Sequence, residues 1–311
     1  MKMQKRTTLG GQVALGAPLG KQKPRFWELD FIRGLLVFLM CFDHFAYVAY
    51  RILPEFVSMF HAGALMDIAR EGRDYWNSDY RLAIRPFVLF GFLILCGISC
   101  TLSRSNEKRS ADIMAVALAV SSVTYAIDVF SSGTFIVFGV IHMLGVAIAL
   151  YVGLSFVFDS LAGLVKGKLQ GVAKWTARLL PGVIGFVLLV VYFRYCGKFC
   201  FGELKLFQST LPAPGSEAGR FFGSLFVNFD GYTFKSADYY PLLPYAAIVL
   251  LGTLFGWIAY RLPMEKGWVN RPAKKWNAGI CWIGRKAIWF YAFHQLAAIA
   301  FFFICSLIAS I

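Results

Sequence analysis

The chain has 311 residues, of which 58% are hydrophobic and only 15% charged. A soluble domain of this length carries charge on about a quarter of its residues, so the composition excludes an ordinary water-soluble fold. A net charge of +14 would suggest nucleic-acid binding in a soluble protein, but here we expect it to reflect membrane topology, with no nucleic-acid partner. The composition instead predicts an all-α, polytopic transmembrane helix bundle.

The apolar segments predict seven spans, at 31–53, 84–103, 111–130, 134–158, 177–196, 240–260 and 283–308. Lysines and arginines concentrate in alternate connections, whereas the other connections balance them with acidic residues. By the positive-inside rule we predict a cytosolic N-terminus and an external C-terminus in the cell membrane. Two further segments, Val57–Ile68 and Leu161–Trp175, are candidates for interfacial helices.

The first residues of the chain are basic and contain glycine, and they are too polar for the apolar core of a signal peptide. We therefore predict a disordered cytosolic tail over residues 1–24, followed by a single membrane domain over residues 25–311.

The first span contains two ionisable side chains, Arg33 and His44. Their separation of eleven residues is about three helical turns, so both lie on one face, roughly 16 Å apart along the axis. Ionisable groups inside a membrane are costly and usually serve a function. The alternatives are a buried, hydrogen-bonded histidine and an arginine that anchors the helix at the interface. Asp30 is placed to form an ion pair with Arg33.

Two outer segments are candidates for the roof of an outward-facing pocket, namely Asp74–Asp79, which contains Trp76, and the loop 197–239. The alternative is ordinary interfacial loops with an aromatic belt. Cys196 and Cys200 flank this side of the membrane, where either a disulfide or two reduced thiols would fit their spacing.

His142 and His294 also fall inside predicted spans, at depths compatible with a cavity shared with His44. Tyr291, His294 and Gln295 form a polar stripe on the last span. We predict no metal, because no carboxylate or His-x-x-x-His pattern accompanies the histidines. Asp128 and Asp238 lie at outer ends of spans, where either could orient a hydroxyl group or simply cap a helix.

Several strings resemble known membrane acyltransferases. Trp27–Gly34 (WELDFIRG) resembles the opening of the heparan-α-glucosaminide N-acetyltransferase catalytic-domain family and of acyltransferase family three, and Arg33 and His44 have the Arg-x10-His spacing of the second. Further strings in chain order resemble bacterial members of the first family, namely FVLFGFLILCGISCTLS at 87–103, FGVIHMLG at 138–145, SADYYPLLP at 236–244 and IGRKAIWFYAFHQ at 283–295. Arg73 stands where the eukaryotic members carry a histidine before Trp-Asn.

The resemblance implies a membrane-bound N- or O-acyltransferase that uses cytosolic acetyl-CoA, or another acyl-CoA, as donor. The expected acceptor is a cell-envelope glycan or a lipid-linked sugar, and membrane lipids and a possible homodimer are further expected partners. The residue roles it suggests are catalysis by His44, His294 and Asp238, donor binding by Arg33, Arg285 and Lys286, and lining of the acceptor cavity by His142, Asp128, Trp76 and Tyr291. For His44, a general base and a transient acyl carrier are both open. The alternatives are a transporter or flippase whose histidines relay protons, and a noncatalytic membrane protein on the same scaffold.

Overall fold

The computed structural model describes residues 26–129, 133–203, 206–265 and 274–311. Within these residues seven helices are long and apolar enough to cross a membrane, which confirms the all-α fold and the predicted number of spans. The predicted tail at 1–24 lies outside the described residues.

The described residues form twelve α-helices and one small hairpin. The helices are α1 (Trp27–Arg51), α2 (Leu53–Phe60), α3 (Met66–Trp76), α4 (Asp79–Leu102), α5 (Asn106–Asp128), α6 (Val140–Leu164), α7 (Gln170–Val191), α8 (Glu217–Phe226), α9 (Leu242–Gly256), α10 (Leu262–Glu265), α11 (Ala278–Arg285) and α12 (Ala287–Ala309). The strands β1 (Gly197–Phe199) and β2 (Phe207–Ser209) pair antiparallel. Segments of π-helix at Tyr192–Cys196 and Trp257–Arg261 continue α7 and α9.

The structure revises two of the predicted segments and agrees with a third. The fifth span is continuous from Gly167 to Cys196, and α6 reaches Leu164, so Leu161–Trp175 is divided between these two helices and does not form a separate helix. The Val57–Ile68 segment does contain short helices outside the spans, α2 and the start of α3. The last predicted span is interrupted at Lys286, which separates α11 from α12.

Helix α9 is the most buried of the seven spans and packs between α4 and α7. Glycines allow this close approach. A Cβ at Gly97 of α4 would strike the carbonyl of Val249, and one at Gly185 of α7 would lie 2.6 Å from the amide nitrogen of Leu251. Small residues of this kind let membrane helices approach closely enough for backbone contact.

Helix α1 lies at the edge of this core and contacts different elements along its length. Near its start, Gly34 packs against the backbone of Ile280 on α11. Toward its end, Ala49 packs against Gly72 of α3, and Phe45 packs against Phe302 of α12 with ring centroids 4.7 Å apart. These contacts direct the second half of α1 toward α3 and α12.

The long connection before α9 is tied to the connection before α6. The amide of Ala237 donates to the carbonyl of Phe135 at 2.9 Å, and the amide of Tyr240 donates to that of Phe138 at 3.3 Å. This pairing brings Asp238 to the start of α6. Cys196 and Cys200, which flank β1, are both free thiols.

Candidate active site

Two histidines meet between the first and the last span. Nδ1 of His44 on α1 lies 2.5 Å from Nε2 of His294 on α12. The two ring planes are inclined by 20° and their centroids are 4.8 Å apart, so the rings meet edge to edge through these nitrogens. We call the end of the bundle that holds this pair the outer end, following the predicted topology. The structure therefore brings together two of the histidines that were expected to share a cavity.

The hydrogen bonds of His294 determine which nitrogen carries its proton. Nδ1 of His294 lies 2.9 Å from the carbonyl oxygen of Phe290 and 2.8 Å from that of Tyr291. A carbonyl can only accept, so Nδ1 of His294 carries the hydrogen and its Nε2 has a lone pair. Nδ1 of His44 then donates to that lone pair. This leaves Nε2 of His44 as a proton acceptor with no hydrogen-bond partner among the described residues.

A buried ion pair flanks the histidines. Arg81, at the start of α4, donates to both carboxylate oxygens of Asp43 at 2.6 and 3.1 Å. Its guanidinium carbon lies 3.3 Å from the ring centroid of Trp76, and its Nη1 donates to the carbonyl of the same residue. The hydroxyl of Tyr75 also donates to Asp43 at 3.3 Å. Because Asp43 precedes His44, this pair fastens the α3–α4 junction to the part of α1 that holds the histidine.

Arg85 links the histidine pair to Asp238. It lies one turn beyond Arg81 on α4, hydrogen-bonds with Tyr240, and is within electrostatic range of His44 and Asp238. One polar region thus extends from the end of α1 to the segment before α9.

Asp238 caps α6 from outside that helix. One of its oxygens, Oδ2, accepts from the amide of Val140 at 3.0 Å. Although the residue as a whole is partly exposed, burial of its carboxyl group raises the pKa of Asp238 to about 6, while the Val140 amide and the charge of Arg85 oppose the shift. A carboxyl group with this pKa can exchange a proton near neutral pH.

The contacts of His142 and Asp128 are those of residues that hold the local structure together. Nδ1 of His142 accepts from the amide of Gly139 at 3.3 Å and its Nε2 donates to the hydroxyl of Ser121 at 3.1 Å, so both ring nitrogens are used within the protein. Oδ1 of Asp128 accepts from the amides of Gly133, Thr134 and Phe135 at 2.7, 2.7 and 3.1 Å, which organises the turn after α5.

Arg33 lies at the opposite, inner end of α1. It pairs with Asp30 at 3.3 Å, which confirms the predicted ion pair, and its Nη2 donates to Ser99 at 2.6 Å. Arg109 lies within electrostatic range and donates to the sulfur atoms of Cys96 at 3.5 Å and Cys100 at 3.7 Å. The sequence alone did not assign a role to Arg109.

Arg285 and Lys286 are exposed at the break between α11 and α12. Gly284 packs against the backbone of Asp30, so this break adjoins the inner half of α1. Among the residues described, no group of three or more histidine, cysteine, aspartate or glutamate side chains is placed to hold a metal ion.

Sequence reasoning missed Arg81, Arg85 and Tyr240, although each contributes to the polar region. The available signal was the pair Arg81 and Arg85, which are four residues apart at the start of an apolar span and so share a helix face. Arg81 was counted only as a loop charge that serves topology, and Arg85 was given no role.

The family model described as heparan-alpha-glucosaminide N-acetyltransferase, catalytic, matches residues 55–180 and 207–296. These ranges contain Arg81, Asp238 and His294, whereas Arg33 and His44 precede them. No curated protein and no solved structure is significantly similar to the chain. Because the matched residues make up well over half of its length, the chain belongs to the heparan-alpha-glucosaminide N-acetyltransferase catalytic family of membrane acetyltransferases.

Proposed function

We propose that this multi-pass membrane protein transfers an acetyl group, or another acyl group, from cytosolic acyl-CoA to a glycan or a lipid-linked sugar in the cell membrane. The observation that carries the proposal is the contact of His44 with His294, because it leaves one basic nitrogen of His44 without a protein partner.

In this proposal His44 is the general base and His294 is the residue that positions it. The acceptor oxygen or nitrogen attacks the acyl carbonyl carbon while its proton passes to Nε2 of His44. The tetrahedral intermediate then collapses, the carbon–sulfur bond breaks, and the departing thiolate takes the proton back from His44 to give free CoA. His294 holds Nδ1 of His44 throughout, which fixes the tautomer that the first step needs.

Charges around the pair suit this reaction. Negative charge develops on the carbonyl oxygen in the transition state, and Arg85 lies within electrostatic range of His44. Asp238 and Trp76 border the same polar region and are proposed to contact the acceptor. His142 and Asp128, whose polar atoms hold adjacent turns, are proposed to shape the acceptor cavity indirectly.

The donor would enter from the inner end. Arg33 with Arg109, and Arg285 with Lys286 at the nearby helix break, provide cations for the phosphates of CoA. Arg33 and His44 are separated by roughly 16 Å along α1, a distance that the extended arm of a CoA thioester must bridge to bring its acyl group to the histidine.

The test uses purified protein in liposomes, incubated with radiolabelled acetyl-CoA and a cell-envelope glycan extract. Label that enters the glycan with wild type and is lost with His44→Ala supports the proposal. A matched control is His61→Asn, because His61 is an exposed histidine just after α2 with a positive φ of 55°, which asparagine tolerates. Full transfer by a monodisperse His44→Ala protein would overturn the assignment, and substrate movement without label would favour a transporter.

A further inference from the structure

A second cluster of cations and aromatic rings lies at the inner ends of α7 and α9, away from the histidine pair. The guanidinium carbons of Arg178 and Arg261 lie 5.2 and 5.6 Å from the ring centroid of Trp257. Trp175 packs edge-on against Trp257 with centroids 6.4 Å apart. None of these residues takes part in the proposed acyl transfer.

The charges of this cluster are only partly compensated. Arg178 pairs with Glu265 at 3.4 Å, but the two side chains are 38% and 41% exposed, so the pair is weak. Nε of Arg261 is buried and has no hydrogen-bond partner within the ranges that the structure describes. Lys168 and Lys174, both exposed, add positive charge on α7 and the turn before it. The cluster therefore favours an anion.

The length of the fifth span places this cluster at the level of the lipid headgroups. The helix Gly167–Cys196 has 30 residues. At 1.5 Å per residue it is about 45 Å long, whereas the hydrocarbon layer is about 30 Å thick. If Cys196 lies at the outer boundary of the hydrocarbon layer, the inner boundary falls near Arg178. The residues of the helix before Arg178 then project into the headgroup region.

An apolar groove passes alongside the cluster on the neighbouring face of α7. It has a volume of about 570 Å³ and extends from Lys168 to Val183. Trp175 lines the groove and also contacts Trp257, so it joins the groove to the cations. Beyond Trp175, the lining residues Leu179, Leu180 and Val183 lie at the depth of the acyl chains.

We propose that this surface binds one anionic phospholipid of the inner leaflet. Its phosphate would lie between Arg178 and Arg261, and one acyl chain would follow Leu179, Leu180 and Val183. A guanidinium offers paired donors to phosphate oxygens, and basic pockets between spans on the cytosolic side suit anionic headgroups. The groove favours a lipid over a free phosphate, because a free phosphate has no acyl chain to occupy it.

The experiment uses the full-length protein in phosphatidylcholine nanodiscs that contain increasing fractions of phosphatidylglycerol with brominated acyl chains. Bromine quenches tryptophan fluorescence on contact. We expect brominated phosphatidylglycerol to quench more than brominated phosphatidylcholine does at the same mole fraction. We expect this difference in quenching to be smaller in Trp175→Phe. Equal quenching by the two lipids in wild type would overturn the proposal.

Arginine variants test the headgroup site. Each arginine near an anionic headgroup contributes about fivefold to the binding constant, so Arg178→Gln/Arg261→Gln is expected to lose roughly 25-fold in apparent affinity for phosphatidylglycerol. Arg51→Gln, an exposed arginine at the other end of the bundle, should retain it. Arg261→Gln alone, expected to lose about fivefold, serves if the double variant is not monodisperse. Unchanged affinity in a folded arginine variant, or displacement of the lipid by millimolar glycerol phosphate, would contradict the lipid site.

Discussion

Nδ1 of His44 lies 2.5 Å from Nε2 of His294, and the carbonyls of Phe290 and Tyr291 hold the opposite nitrogen of His294. The two histidines are therefore joined by a hydrogen bond, and in the proposed reaction they should act together. His44→Ala is expected to lower kcat by at least about 100-fold, and His294→Ala by a smaller factor, with little change in the KM for the donor. The double variant should be no slower than His44→Ala alone, because residues that act together are not additive.

Initial rates at saturating acceptor, over a range of acetyl-CoA concentrations, test this coupling. Multiplicative losses in the double variant would show that the two histidines act independently.

The ion pair of Asp43 with Arg81 predicts a stability effect. The Arg81 side chain is 3% exposed, and removing one partner of a buried pair leaves the other charge uncompensated, at a cost of about 3 kcal/mol or more. Asp43→Asn and Arg81→Met should each lower the Tm. Asp43→Asn/Arg81→Met should recover part of the loss, because no isolated charge remains.

Thermal unfolding of the purified variants in one detergent measures this effect, and Arg70→Met, which removes an exposed arginine paired with Asp67, is the control. A double variant less stable than both single variants would contradict the explanation.

The raised pKa of Asp238 predicts that the stability of the folded protein depends on pH. Burial raises the pKa of its carboxyl group from the usual 3.8 to about 6, so the folded protein holds this proton more tightly than the unfolded chain does. The resulting stabilisation is complete below the unfolded pKa and is lost as the pH rises toward 6, at about 1.4 kcal/mol per unit of pKa shift.

Asp238→Asn cannot titrate, yet its side-chain oxygen can still accept from the Val140 amide. The Tm of wild type relative to this variant should therefore fall between about pH 4 and 6 and stay level above that range. A difference that does not change with pH would show that the carboxyl group titrates at its ordinary value.

Hydropathy and charge were sufficient to predict seven spans, because each span is a local property of the sequence. The meeting of His44 with His294 depends on which helices adjoin, and no local pattern specifies that. Arg81 was missed for a related reason. Its partner Asp43 lies 38 residues earlier on another helix, so the arginine was counted among the balanced charges of an outer connection. The ion pair of Arg33 with Asp30 was predictable, since both partners share one helical turn.

Arg33 provides a test of donor binding. If it contacts the phosphates of acyl-CoA, Arg33→Gln should raise the KM for the donor by about tenfold or more while changing kcat less, because a charge-assisted hydrogen bond contributes about 1.5–3 kcal/mol. Arg51→Gln removes an exposed arginine from the last turn of the same helix and is the matched control. An unchanged KM in a folded Arg33→Gln protein would place the phosphates elsewhere.

The glycine contacts between α4 and α9 predict a position-specific packing effect. A Cβ at Gly252 would lie 2.5 Å from the carbonyl oxygen of Ile94, so Gly252→Ala must push the two helices apart and should lower the Tm. Gly153→Ala in α6 meets nothing within 4 Å and improves helix propensity, so its Tm should be equal or higher. Similar Tm values for the two variants would show that the α4–α9 contact tolerates separation.

The pairing of the first and last spans also has a consequence for biosynthesis. The two histidines are 250 residues apart in sequence. At about 5–20 residues per second, roughly 12–50 s of translation separate the emergence of His44 from that of its partner. During this interval the first span must reside in the bilayer while the His44 side chain lacks its hydrogen-bond partner His294. The histidine pair can therefore form only after α12 has been made and has packed against α1, so a chain whose translation stops before α12 would have its first span inserted but would lack the pair.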